Sequence, residues 1–99
     1  MNIKSLFFTL MMVVCVPAFA SAKPVLTVYT YDSFASEWGP GPAIEKAFEE
    51  NCDCDLQFIA LDSSIGILGR VQLEGASSKA DIVLGLDTNL IATARETGL

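Results

Sequence analysis

Histidine is absent from these 99 residues, and basic side chains are scarce, with six Lys and Arg against twelve Asp and Glu. Without imidazole the chain has no Ser–His or Cys–His nucleophile pair and lacks the commonest ligand of protein metal sites. A formal net charge of −6 opposes the phosphate backbone and argues against nucleic acid as a partner. Acidity of that size suits a soluble exported protein that receives a cation. The sequence also has no Gly-x-Ser-x-Gly element, no glycine-rich phosphate loop followed by Lys, and no carboxylate pair spaced for acid–base work. Binding rather than catalysis is therefore expected, with no cofactor and no metal.

The first twenty-odd residues need a separate reading. Lys4 gives a positive start, Leu6 to Val16 is an almost unbroken apolar run, and Pro17 ends it ahead of small residues. That order is a secretory signal peptide. The run is about half of what a bilayer-spanning helix needs, so stable membrane insertion is not expected. Ala18-Phe19-Ala20 and Ala20-Ser21-Ala22 compete as cleavage sites, and the second leaves Lys23-Pro24 to open the mature chain. Residues 1–22 are read as signal peptide and 23–99 as the mature domain, placed in the periplasm.

Three cysteines remain to be placed. Cys15 follows Val14, where a lipoprotein site wants small residues, and reads as part of the leader's apolar core. Cys52 and Cys54 would sit in an oxidising compartment after export, which predicts a local disulfide. So short a loop is expected to stiffen a helix exit more than to add stability.

Val25 to Tyr31 is β-branched and aromatic with no breaker and predicts a mostly buried strand. Asp32 to Pro42 reads as a loop, because Trp38-Gly39-Pro40-Gly41-Pro42 forbids regular structure until a helix can start around Pro42. In that helix, ending near Asn51, Ala43, Ile44, Ala47 and Phe48 share an apolar face, and Glu45, Lys46, Glu49 and Glu50 a polar one. Leu56 to Leu61 predicts a second strand, and Asp62-Ser63-Ser64 offers caps to a helix over Ile65 to Leu73. Ala80 to Gly85 predicts a third strand, with Asp87 or Thr88 capping a last helix that Gly98 stops. Strands beginning near 25, 55 and 81 have the spacing of βαβ units, so the fold class is α/β, βαβαβα with a parallel sheet.

Open sheets of this kind bind ligands beyond the carboxyl ends of their strands. Three loops share that edge: Tyr31 to Trp38, Asp62 to Ser64, and Leu86 to Asn89. The candidate ligand-binding residues are Tyr31, Asp32, Trp38, Ser63, Ser64 and Asp87. The aromatic pair offers flat apolar faces, the serines offer hydroxyls at a helix start, and the two Asp offer charge. Each also has an ordinary structural role open to it, the rings in packing and the serines and Asp87 in helix capping.

Lys-Pro-Val-Leu-Thr-Val-Tyr-Thr-Tyr-Asp-Ser-Phe (23–34), followed by Trp-Gly-Pro-Gly-Pro (38–42), resembles the mature start of periplasmic thiamine-binding proteins. The likeness continues through Lys46-Ala47-Phe48-Glu49, Cys52-x-Cys54, Ala60-Leu61, Glu74-Gly75, Ser78-Lys79-Ala80-Asp81 and Val83-Leu84-Gly85-Leu86-Asp87. It implies a type II periplasmic binding protein, of which this chain would be an incomplete first lobe. It also implies capture of thiamine and thiamine phosphates for the permease subunits of an ABC importer, with Tyr31 and Trp38 stacking on the cationic vitamin. After Ala60-Leu61 the family shows an acidic residue and then Asp-Gly, where this chain has Asp62-Ser63-Ser64. Two alternatives stand beside this reading. One is the same fold with another ligand (iron, a polyamine or a phosphonate), and the other is a small exported thiol-disulfide protein using Cys52 and Cys54.

Overall fold

The computed structural model describes residues 13–17 and 22–99. The leader's positive start, most of its apolar run and most of both cleavage sites lie outside the described residues. Among those that are described, no helix is long and apolar enough to cross a membrane.

Strand β1 (Val25–Tyr31) runs into a single helical turn, α1 (Asp32–Ala35), then helix α2 (Gly41–Glu49) and strand β2 (Asp55–Leu61). Helix α3 (Ser64–Glu74) follows, then the two-residue strand β3 (Ile82–Val83) and helix α4 (Ile91–Glu96). The sheet order is β2-β1-β3, all parallel, as the α/β reading requires. β1 pairs β2 from Val25↔Asp55 to Tyr31↔Leu61, and pairs β3 at Val28↔Ile82 and Tyr29↔Val83. The central position of β1 explains its composition, because a parallel strand covered on both faces has no polar side to present.

The two faces are filled differently. On one, Tyr29 (2% exposed) packs against Ile67 and Val71 of α3, with Ile59, Leu61 and Val83 around them. The polar edge of that cluster is satisfied: the Tyr29 hydroxyl donates to Glu74 Oε2 at 3.1 Å, and the Arg70 guanidinium lies 4.9 Å from the Tyr29 ring centroid. On the other face Leu26, Val28, Phe58 and Ile82 meet Ile44 and Phe48 of α2 around an apolar groove of about 150 Å³. Ile44 and Phe48 do take the inner side of α2, yet they stay 45% and 41% exposed because one nine-residue helix only half closes the groove. Glu49, expected on the solvated side, instead accepts a hydrogen bond from the Leu56 backbone N–H at 3.2 Å and ties α2 to the start of β2.

Two elements differ from the sequence expectation. Asp32–Ala35 is helical rather than irregular, because the glycines and prolines that break structure begin only at Gly39. β3 keeps two of its six expected residues. Below it Asp81 continues the pairing by other means, its N–H donating to Thr27 O at 2.9 Å and its carboxylate accepting from Thr27 N–H at 2.8 Å. Above it the ladder stops as Gly85, at φ +100°, turns the chain away. In the turn between α2 and β2, Cys52 and Cys54 are joined by a disulfide with Cα atoms 5.2 Å apart, and Cys15 is free and exposed.

Candidate functional site

The order β2-β1-β3 has a functional corollary. From β1 the chain goes to one neighbour through α1 and α2, and then reaches the other through α3. The connections thus diverge between β1 and β3, and the carboxyl ends at such a switch point form the crevice where open α/β sheets take their ligands. The register puts Tyr31 level with Leu61, so the loops after β1 and β2 start at one height. Leu84 N–H donates to Tyr29 O at 2.9 Å, which brings Gly85 to the same height.

Tyr31 ends β1 on the same side as Tyr29 and is half-buried. Its ring stands edge-on to Phe34, with centroids 5.9 Å apart, and Phe34 in turn stands edge-on to Phe58 at 5.7 Å. Asp32 begins α1 with its side chain exposed, and its carbonyl accepts from Ser36 N–H at 2.9 Å. The turn that follows folds back onto α1 so closely that a Cβ on Gly39 would lie 2.2 Å from Ser33 O. Only glycine fits there. Trp38, just before that return, stands 87% exposed and joins neither aromatic pair.

The serines have separate jobs. Ser63 is the N-cap of α3, in extended backbone, and its Oγ accepts from Gly66 N–H at 3.0 Å. The Ser64 hydroxyl donates to Gly85 O, linking the loop after β2 to the loop after β3. Asp87 caps the helical turn Thr88–Leu90, its Oδ1 accepting from Asn89 N–H at 2.9 Å.

Of the six candidates the structure brings Tyr31 and Ser64 onto one residue, Gly85, and sets Asp87 two positions further along that loop. Asp32 and Trp38 lie on the same edge, facing solvent. A cavity of about 400 Å³, lined by Leu68, Val71, Ser78, Asp81, Ala94 and Leu99 among others, lies elsewhere, between α3 and α4, and involves none of the six. Gly85 was missed as part of this edge, and Phe34, although within the Tyr31–Trp38 loop, was not among the six candidates. The signal for Gly85 was a lone glycine directly after a strand run; Phe34 carried none beyond its place in the loop.

No family model matches the chain. It is 55% identical over 93 residues to the thiamine-binding periplasmic protein of Salmonella typhimurium, an alignment that takes in 94% of this chain and 28% of that one. It is 56% identical over 90 residues to the protein of the same name from Escherichia coli K12, covering 91% of this chain and 27% of that one. The chain therefore spans just over a quarter of the length of these relatives. A solved structure of a periplasmic thiamin binding protein superposes with a TM-score of 0.76 at 57% identity, over 85% of this chain and 26% of that one. In sequence and in fold, over the stretch they share, the chain is a relative of the periplasmic thiamine-binding proteins.

Proposed function

We propose that this chain contributes one side of a thiamine pocket in a periplasmic solute-binding protein, which delivers thiamine and its phosphate esters to the permease of an ABC importer. The observation that carries the reading is the identity of 55% over 93 residues to a protein named for thiamine binding. The site chemistry agrees with it. A cationic thiazolium suits an acidic chain and an exposed indole, and cation–π contact with Trp is the strongest of its kind. The role proposed is capture, not catalysis.

Tyr31 and Trp38 are assigned to stacking, Asp32 to charge or hydrogen bonding, and Ser63, Ser64 and Asp87 to the polar rim. Residues 1–22 are assigned to export. N-terminal sequencing of the exported product is expected to begin at Lys23, and an uncleaved chain would contradict export by this leader.

Because the relatives are several times longer, the binding test uses a chimera. Residues of this chain replace the matching stretch of the Salmonella protein, and thiamine and thiamine phosphate are titrated by calorimetry. A dissociation constant within about tenfold of the parent's, a change of no more than about 1.4 kcal/mol, supports the reading. Loss of saturable binding in a folded chimera defeats it. The 99-residue chain by itself is expected to bind thiamine no better than millimolar, since one set of loops encloses only part of a ligand's surface.

A further inference from the structure

We propose that Ser64 is a positioning residue for the Tyr31 ring, acting through the backbone of Gly85. Three observations meet at that glycine. Its φ of +100° is a conformation that residues with a side chain rarely adopt. A Cβ built on it would lie 2.5 Å from both Cδ1 and Cε1 of Tyr31, so the ring rests directly on the peptide with no side chain between. The carbonyl of the same residue accepts the Ser64 hydroxyl proton across 21 positions of sequence. The Tyr31 ring also forms a T-shaped pair with Phe34, with centroids 5.9 Å apart.

The ring thus touches both Phe34 and the Gly85 backbone, and the paired register of β1 and β3 ends just before that glycine, at Val83. Leu84 N–H still donates to Tyr29 O at 2.9 Å, and past it, among the described residues, the Ser64 hydroxyl bond to Gly85 O is what ties this loop to the start of α3. Ser63 already serves the α3 N-terminus by accepting from Gly66 N–H, which leaves Ser64 free for this second task. The role in ligand binding rests on the thiamine reading, whereas the clasp itself does not: fixing the plane of an aromatic ring before a ligand arrives removes an ordering step from binding.

The test compares the unaltered chain with Ser64→Ala and Ser64→Thr. In the absence of thiamine, NMR follows the Tyr31 ring resonances and the exchange of the Leu84 amide, which donates to Tyr29 O, and urea unfolding verifies that each variant folds. Ser64→Ala is expected to shift and broaden the ring signals and to speed that amide about tenfold, as a local opening would. Ser64→Thr, which keeps the hydroxyl, is expected to restore both. In the chimera, thiamine affinity should fall in Ser64→Ala and recover in Ser64→Thr. Ring signals unchanged in a folded Ser64→Ala would overturn the clasp even if thiamine binds normally. Ring signals that respond as expected, with no thiamine binding in any chimera, would keep the clasp and remove the thiamine reading.

Discussion

The two ends of the sheet differ in how many of their side chains the fold consumes. At the amino end they are consumed by the fold: Asp81 takes the Thr27 N–H, Glu74 takes the Tyr29 and Ser78 hydroxyls, and Asp55 N–H donates to Pro24 O. At the carboxyl end the serines and Asp87 are also engaged with backbone, yet Trp38 and Asp32 are turned to solvent. An indole 87% exposed on a loop shaped by an obligatory glycine contributes little to this fold. The lesson is that residues of one type at one spacing divide by which end of the strand they follow. Stability is set at the core and the amino end, and the proposed function puts recognition at the carboxyl end.

Substitutions can break or sharpen that division. Ile67→Ala, at 0% exposure against Tyr29, should cost about 2–5 kcal/mol and leave the domain largely unfolded by circular dichroism. Next in size is Asp81→Ala, which strips the Thr27 N–H of its acceptor at a solvent-exposed position and should lower the urea unfolding free energy by about 0.5–1.5 kcal/mol. Ser63→Ala removes the α3 cap, for about 1 kcal/mol. If Ser63 serves only as a cap, thiamine affinity in the chimera will follow that modest loss; a much larger drop would assign it to the ligand as well. Thr30→Val is expected to be neutral or slightly stabilising. The Thr30 hydroxyl is fully buried with no hydrogen-bond partner among the described residues, so an isostere without it removes an unsatisfied group.

Much of this fold could be read in advance because its elements are carried by local pattern. The unbroken Val25–Tyr31 run, the Asp62-Ser63-Ser64 start and the Asp87 cap each settle their own element without tertiary help. What escaped reading depends on partners far away in sequence. β3 is short because Asp81 pairs with Thr27 through a side chain, and nothing in Ala80–Gly85 announces that exchange. Ile44 and Phe48 carry a proper helical stripe, but how deeply the stripe is buried depends on what lies across the groove. The six candidate residues were legible as a shared edge, and the Ser64–Gly85–Tyr31 contact was not, since it joins the end of β1, the start of α3 and the turn after β3, which meet only once the sheet has formed.

The most direct test of the division between the two ends is a pair of thiamine titrations on the chimera, one with the unaltered sequence and one with Trp38→Ala. Loss of a stacked indole predicts weaker binding by about 1–3 kcal/mol. The unfolding free energy should change by no more than the roughly 0.5 kcal/mol typical of a surface change. An unchanged dissociation constant, or a loss of affinity matched by an equal loss of stability, would contradict the assignment of the carboxyl edge to recognition.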